Sequence, residues 1–167
     1  MSKLNIERLF LLDPYNDKHL EKIIVFEQEN NMTDKPSDYI KKLRETTSKQ
    51  EFYSPSKNEI EEIIFTEKSN KITDCCYIHG EKDTKKCKIT PLNINNKNKR
   101  RHLPELAATY SLDTLGMEEV FIKVNEDDNN MITYLELKGF ENLGEESGSI
   151  ILLKESEEKE NSQRMIS

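Results

Sequence analysis

The sequence has no run of apolar residues long enough to cross a membrane. Apolar residues form short clusters such as 9–12, 23–26 and 150–153, whereas a transmembrane helix needs about 20 in succession. The first residues also lack the basic flank, the apolar stretch and the small-residue cleavage site of a signal peptide. We therefore expect a cytoplasmic protein that makes no use of a membrane.

Cysteine is scarce as well, with 3 residues in the chain. Cys75 and Cys76 are adjacent and Cys87 stands apart, and an odd number without framework spacing is typical of a reducing compartment. A zinc site built from these cysteines and His79 is disfavoured, because adjacent residues of a strand point to opposite faces and no Cys-x-x-Cys pair is present. We expect no metal, with one adjacent cysteine in the core and the other partly exposed.

The composition is poor in apolar and rich in charged residues, at 34% each, and the formal net charge is −7. An ordinary globular domain has more apolar and fewer charged residues. The apolar residues are nevertheless clustered, which argues against global disorder. Net acidity argues against nucleic acid as a partner.

Apolar periodicity and turn residues predict a mixture of strands and helices. Strands are predicted at 6–12, 59–66, 71–79, 85–91, 119–125 and 149–154, with one more near Leu143, and helices at 17–30, 36–48, 103–115 and 127–138. The helical crossover at 103–115 makes the strands on its two sides parallel. The expected fold class is α/β (α+β), with a mixed, mostly antiparallel central sheet of six to seven strands and helices on both faces. Residues 1–154 form one domain in this prediction, and residues 155–167 form a polar, flexible tail.

A basic run interrupts the acidic sequence just before the helix predicted at 103–115. Its cations are Lys97, Lys99, Arg100 and Arg101, within a polar segment that shows no periodicity. At the start of a helix such a run can bind phosphate, and a solvated basic loop is the alternative. Binding of single-stranded nucleic acid is disfavoured because no aromatic residues alternate with the cations.

Residues 115–140 carry a more specific signal. They combine a helix that ends at Gly116, a strand at 120–124, an Asn- and Asp-rich turn, a short helix and a Gly139-Phe140 pair before a final strand. In this order the segment resembles the GNAT superfamily of acyl-CoA-dependent N-acyltransferases. The resemblance implies a GNAT-like fold with acetyl-CoA as cosubstrate. It also implies transfer of the acetyl group to a primary amine by direct attack within a ternary complex.

The resemblance further implies where the cofactor binds. In this family CoA lies in a V-shaped opening between the fourth and fifth strands, and a glycine-containing loop after the fourth strand holds its pyrophosphate. The corresponding residues 95–102 contain no glycine, so the phosphate-binding loop is degenerate and cationic side chains would replace it. The implied cofactor-binding residues are Lys97, Lys99, Arg100, Arg101, Ile89 through its backbone, Asn125 and Asn129.

Catalysis is the second departure from the family pattern. Many members carry a tyrosine four residues before the glycine of the Gly-Phe pair, where this chain has Leu135. Tyr134 is one residue earlier, a rotation of about 100° on a helix. We take Tyr134 as the candidate acid and Glu62 as the candidate base. Glu61, Asp74 and His79 are the further candidates for the base.

Two other functions stay open at this stage. The missing glycines together with Leu135 favour a non-catalytic GNAT-fold protein that binds a ligand or a partner without turnover. A homodimer is possible, with Phe26 and Tyr39 of the N-terminal helices on its surface. The net acidity would suit a cationic acceptor, but the sequence identifies neither the amine nor the oligomeric state.

Overall fold

The computed structural model describes residues 8–33, 35–92 and 102–157. These residues form one seven-stranded sheet with helices on both of its faces. The strands are β1 (Arg8–Leu11), β2 (Glu59–Lys68), β3 (Lys71–Glu81), β4 (Lys86–Pro91), β5 (Glu119–Asn125), β6 (Glu141–Glu146) and β7 (Ser149–Glu155). The helices are α1 (Asp17–Glu29), α2 (Pro36–Thr46), α3 (Lys49–Phe52), α4 (His102–Asp113) and α5 (Asn129–Leu137).

The strand order is β1-β2-β3-β4-β5-β7-β6, and every neighbouring pair is antiparallel except β4 and β5. Helix α4 connects these two strands, so the chain must return to its starting edge and the pair becomes parallel. The predicted fold class, with its crossover and its parallel pair, is confirmed.

Two apolar layers hold the helices to the sheet. On one face α4 and α5 cover a core that includes Ile78, Ile89, Ile122 and Leu152. On the other face α1 and α2 pack over β2 and β3, with Phe26 at its centre. Phe26 is only 2% exposed, so the prediction that it forms part of a dimer surface is wrong.

Both adjacent cysteines are buried, because each face of β3 is covered by helices. Cys75 lies in the layer under α1 and α2, and Cys76 in the layer under α4 and α5. The prediction that one of them is partly exposed is therefore wrong. Cys76 and Cys87 share a face that His79 does not, so these side chains cannot form one zinc site.

Local signals set most of the helix boundaries. Asn16 caps α1 by accepting the backbone N–H groups of Lys18 and His19, and the side chain of Asp128 caps α5. Side chains of this type stabilise a first turn by about 1 kcal/mol. The one-turn helix α3, capped by Ser48, is too short to produce an apolar period and was not predicted. No helix among the described residues is long and apolar enough to span a bilayer.

Some predicted segments extend beyond the described residues. These are the N-terminal end of the first strand, the basic run Lys97 to Arg101, and most of the tail predicted at 155–167. Glu155, the first residue of that predicted tail, is the last residue of β7.

Gly80 brings β3 and β4 close together beside the parallel pair. It pairs with Cys87, and a Cβ atom at position 80 would lie 2.7 Å from the Cβ of Cys87 and 3.2 Å from the carbonyl oxygen of Lys86. Real Cβ atoms do not approach this closely, so any side chain at Gly80 must push the two strands apart.

We expect Gly80→Ala to lower the free energy of unfolding by about 1–3 kcal/mol, the range for overpacking in a dense core. Urea unfolding measures this loss. Gly144→Ala is the comparison, because a Cβ there meets no atom within 4 Å and any cost comes from backbone strain alone. An unchanged stability of Gly80→Ala would contradict the close strand approach.

Candidate functional site

The parallel strands β4 and β5 separate after a short contact. They pair from Lys86 with Glu119 to Ile89 with Ile122. Beyond that point β4 continues beside β3, with Thr90 opposite Tyr77. Strand β5 continues beside β7 as far as Asn125. The carboxyl ends of the two strands therefore leave an opening between them.

The open edge of β4 has an unusual backbone. Leu92 donates its N–H to the carbonyl oxygen of Cys75 at 3.1 Å, so the backbone groups of Leu92 point toward β3. Because these groups alternate along a strand, those of Pro91 point toward the opening. Proline has no N–H. The edge thus offers a carbonyl acceptor at this position and no donor.

Strand β3 places two aromatic side chains next to this opening. Tyr77 and His79 lie opposite Thr90 and Lys88 of β4, on the sheet face that carries α1 and α2. Their rings are nearly parallel, with centroids 6.3 Å apart. Neighbouring strands are about 4.8 Å apart, so both side chains lie one strand from the opening.

Two carboxylates from β2 reach His79 from the side away from β4. Glu61 lies directly opposite His79. The ligand atoms of Glu59, Glu61 and His79 all lie within 4.8 Å of one another, a donor set that suits a divalent cation or an ammonium group. Lys57 lies 3.8 Å from Glu61 and already balances part of this negative charge.

An aromatic cleft lies next to Tyr77, on the sheet face that carries α1 and α2. The cleft has a volume of about 420 Å³ and lies between the α1–α2 connection and the end of β4, with Tyr39, Tyr77 and Leu92 among its walls. Tyr39 and Tyr77 meet edge to face, with centroids 5.4 Å apart. Burial, with Glu61 close by, raises the pKa of Tyr39 far above its ordinary value of 10.0, so its hydroxyl stays protonated.

A buried carboxylate fixes the helical wall of this cleft. Glu27 of α1 accepts the backbone N–H of Ser37 at 2.7 Å and the Ser37 hydroxyl at 2.5 Å. Ser37 lies in the first turn of α2, where a negative charge interacts favourably with the helix dipole. Lys35, the residue that caps this helix, makes no side-chain capping bond. Glu27 supplies that capping and holds the start of α2 against α1.

Glu62, the base predicted from the sequence, faces the opposite side of the sheet from Glu61. It lies under α4, where it contacts the hydroxyl of Tyr110, and one of its oxygens is buried with no hydrogen-bond partner in the described part of the chain. Burial raises the pKa of Glu62, and the Tyr110 hydrogen bond partly offsets that rise. Asp74, a further candidate, is 5% exposed on the same face as Glu62. Glu61 and His79 are the candidate bases that lie together beside Tyr77.

Tyr134, the acid predicted from the sequence, is held by a carboxylate. Its hydroxyl donates to Glu105 Oε2 at 2.5 Å. This bond joins α5 to the first turn of α4, and it raises the pKa of Tyr134 to about 12. Leu135, at the family's tyrosine position, is fully buried in the core. A phenol with this pKa is a weaker acid than an ordinary thiol, so it gives up its proton reluctantly.

Two of the predicted cofactor-binding residues, Ile89 and Asn125, lie on the strands that border the opening. Ile89 is the last β4 residue that pairs with β5, and its side chain is buried under α4. Asn125 ends β5 and accepts the N–H of Asp127 with its side chain. Asn129 is exposed in the first turn of α5. Lys97, Lys99, Arg100 and Arg101 lie outside the described residues, and their role stays a prediction.

Tyr39 and Tyr77 are site residues that sequence reasoning did not assign. Tyr39 lies in the helix predicted at 36–48, on the expected dimer surface, and Tyr77 lies in the strand predicted at 71–79. Neither position by itself points to a functional site. The signal that was available is alternation along β2 and β3, which places Glu59, Glu61, Tyr77 and His79 on one face. Which face borders the opening depends on the packing of α1 and α2, and strand alternation does not reveal that.

Comparisons with known proteins agree with this architecture. No family model matches the sequence, and no curated protein matches it. Solved structures do match. The dodecameric spermidine N-acetyltransferase from Vibrio cholerae has a TM-score of 0.61 at 15% identity, with 93% of this chain and 97% of that chain covered.

Two further structures contain the cofactor. The Campylobacter jejuni N-acetyltransferase PseH in complex with acetyl coenzyme A has a TM-score of 0.57 at 13% identity, covering 90% of this chain and 99% of that one. The PaiA N-acetyltransferase from Thermoplasma acidophilum in complex with coenzyme A has a TM-score of 0.52 at 12% identity, covering 89% and 99%. The chain therefore has the GNAT fold, which confirms at the level of fold the resemblance in residues 115–140.

The buried position of Glu62 predicts a pH-dependent stability. Its pKa in the folded protein lies above the ordinary value of 4.5, so the folded state keeps this proton to a higher pH than the unfolded chain does. Stability must then fall as pH rises from below 4.5 through the folded pKa.

We expect Glu62→Gln to remove this fall, because glutamine keeps the size and cannot ionise. Urea unfolding at about pH 4 and about pH 8 tests it: relative to the wild type, the variant should gain stability at the higher pH. Glu45→Gln, at an exposed position of α2, is the control and should leave the pH dependence unchanged. A parallel pH dependence in Glu62→Gln and the wild type would contradict this account.

Proposed function

We propose that this chain, which has the GNAT fold, binds acetyl-CoA in the opening between β4 and β5 and transfers the acetyl group to a primary amine. The observation that carries the proposal is the separation of β4 and β5 after Ile89 and Ile122, one strand away from Tyr77 and His79. Acetyltransferases with the same fold and bound acetyl-CoA or CoA support the choice of cofactor. Fold alone does not determine activity, so the chemistry depends on the side chains beside the opening.

The backbone of the opening suits the extended arm of CoA. An unpaired strand edge binds a polar chain through main-chain hydrogen bonds, whatever its own side chains are. The carbonyl of Pro91 can accept from an amide N–H of the ligand, and Asn125 lies at the end of the opposite edge. Lys97, Lys99, Arg100 and Arg101, between β4 and α4, are proposed to hold the phosphates as point charges or forks.

When bound, acetyl-CoA supplies the thioester carbon that an uncharged amine attacks. An amine is protonated at neutral pH, so the protein must accept a proton before or during attack. We assign this role to His79, which lies opposite Lys88 of β4 and carries Glu61 beside it. The carboxylates of Glu59 and Glu61 attract the amine as an ammonium ion and stabilise the imidazolium that forms.

The departing sulfur needs little help from an acid. A thiol has an ordinary pKa near 8.5, so its thiolate is a tolerable leaving group close to neutral pH. Tyr134, bonded to Glu105, is proposed to act as a positioning residue that fixes the first turn of α4 at the entrance of the cofactor site. Glu62 lies under α4, on the sheet face opposite His79. We therefore do not assign it the role of accepting the proton of the amine.

A non-catalytic binding protein is the second candidate. It is favoured by Leu135, which is buried at the position of the family's acid. This candidate binds a ligand or a partner without turnover, and acetyl-CoA need not be that ligand. We place the chain in the cytoplasm in either case, since Cys75, Cys76 and Cys87 are free thiols, as is usual in a reducing compartment.

We expect acetyl-CoA to bind with measurable heat and to raise the melting temperature, because a ligand that binds only the folded state stabilises it. Isothermal titration calorimetry on the full chain measures this. Lys99→Ala with Arg100→Ala should weaken binding about tenfold or more through lost phosphate contacts. Lys18→Ala with Lys41→Ala, two exposed positions on α1 and α2, removes the same charge and should not. Absence of heat and of a thermal shift at millimolar acetyl-CoA would reject the acetyltransferase.

We expect His79→Asn to lower kcat by about a hundredfold or more, the usual contribution of a general base. Release of CoA over a panel of primary amines, followed with a thiol reagent, measures the rate. Glu61→Gln should show a smaller loss, and Glu45→Gln should retain wild-type turnover. Binding of acetyl-CoA without turnover on any amine would establish the non-catalytic candidate, and full activity of His79→Asn would overturn the assignment of the base.

A further inference from the structure

Half of the sheet face that carries the site is not covered by a helix. Among the described residues, α1 and α2 contribute to the apolar layer over β2 and β3, and that layer includes no residue of β5 or β7. On the remaining half a groove of about 440 Å³ runs over β4, β5 and β7. His79 is one of the residues that line the groove, so the groove adjoins the proposed proton acceptor.

The floor of the groove is a partly exposed aromatic and aliphatic surface. Phe121 of β5 lies directly opposite Lys88 of β4 and opposite Leu153 of β7. Ile151 lies next to it on the same face, opposite Lys123. These apolar side chains are only half-buried, and they form a platform against which a sugar or a flat ring can pack.

Two lysines flank this platform. Lys88 is exposed and Lys123 is half-buried, and both line the groove. The other cation of the wall, Lys86, already pairs with Glu119 at 3.4 Å. The carboxylates that line the groove, Glu81 and Glu146, lie on β3 and β6. In the strand pairings of the described residues neither Lys88 nor Lys123 has a carboxylate opposite it.

One row of cross-strand neighbours joins the two charged regions. Glu61 pairs with His79, His79 with Lys88 and Lys88 with Phe121, all on one face. Along this row the charge changes from negative at β2 to positive at β4, and Lys123 follows two residues after Phe121 on β5. The distance from β2 to β4 is two strand spacings, about 10 Å, which is the length of a small metabolite.

We propose that the acceptor amine also carries a phosphate group, which Lys88 and Lys123 bind in the groove while the amine lies at His79 and Glu61. This inference rests on the proposed function, because it identifies the substrate class for the same site. Lysine binds phosphate as a point charge, and two lysines on neighbouring strands suit a dianion. A polyamine fits this arrangement poorly, since its second ammonium group would lie against the two lysines.

The test compares amines that differ only in the anionic group. Pyridoxamine 5′-phosphate and pyridoxamine share a primary amine and a flat ring, and differ by the phosphate. A second pair, 6-aminohexanoate and cadaverine, compares a carboxylate with a second ammonium group at similar length. Calorimetry with acetyl-CoA present and absent measures binding without requiring turnover, so a protein that fails to acetylate still gives a result.

We expect pyridoxamine 5′-phosphate to bind at least about tenfold more tightly than pyridoxamine. Lys88→Gln with Lys123→Gln should abolish that difference, and Lys18→Gln with Lys41→Gln should preserve it. The melting temperature of each variant confirms that it is folded. If 6-aminohexanoate binds more tightly than cadaverine while the two pyridoxamine compounds bind equally, the recognised group is a carboxylate and not a phosphate. That result would overturn the proposed substrate class.

Equal binding of the phosphate pair, or tighter binding of cadaverine than of 6-aminohexanoate, would also overturn the proposal. A phosphate advantage that survives in Lys88→Gln with Lys123→Gln would do so too, because another site would then hold the anion. The proposed function is judged separately by the heat of acetyl-CoA binding alone. If acetyl-CoA does not bind while pyridoxamine 5′-phosphate still binds more tightly than pyridoxamine, the chain is a phosphate-binding protein without acetyl transfer.

Discussion

The geometry of the site depends on one constraint, the parallel pairing of β4 and β5. Every other neighbouring pair in the sheet is antiparallel, and antiparallel strands can pair along their full length. Here the chain must cross through α4, and the two strands then follow different neighbours, β3 and β7. The contact ends at Ile89 and Ile122. There the edge of β4 has no partner strand among the described residues, and Tyr77 and His79 lie on the neighbouring strand.

The layers on the two faces give the opening two different environments. Under α4 and α5 the core is apolar, and the carboxyl group of Glu62 buried there keeps its proton to a higher pH. Under α1 and α2 the carboxylates of Glu59 and Glu61 lie beside His79 and two tyrosines. A reaction that removes a proton from an ammonium ion needs negative charge and a basic group, and the second environment provides both. The hydrogen bonds between Glu27 and Ser37 hold the start of α2 against α1 and so fix the helical side of this second environment.

Most of the fold could be predicted from the sequence, because it depends on local patterns. Alternation identified the strands, helical periodicity and caps identified the long helices, and the crossover fixed the parallel pair. The local patterns failed where packing from a distant element decides. Cys75 and Cys76 are both buried because helices cover both faces, and one strand cannot show that.

The candidate site was less accessible to sequence reasoning. Glu61 and Glu62 are neighbours with similar side chains, and only the packing of α2 and α4 decides which one lies on the face of His79. The position of Tyr134 before Gly139 makes it a candidate acid from the sequence alone. Its hydrogen bond to Glu105, a residue 29 positions away on another helix, cannot be predicted in that way. The pairing of Lys88 with Phe121 is also a long-range contact. The family resemblance points to the candidate site, and the sheet register shows which side chains lie beside the opening.

Hydrogen–deuterium exchange with and without acetyl-CoA tests the central claim most directly, because it reports on the backbone at the opening. The account predicts that acetyl-CoA slows exchange in the segments that contain β4 and β5, residues 86–92 and 119–125, and leaves β1 and β2 unchanged. Protection confined to other parts of the chain, or none at saturating acetyl-CoA, would contradict a cofactor site between these strands.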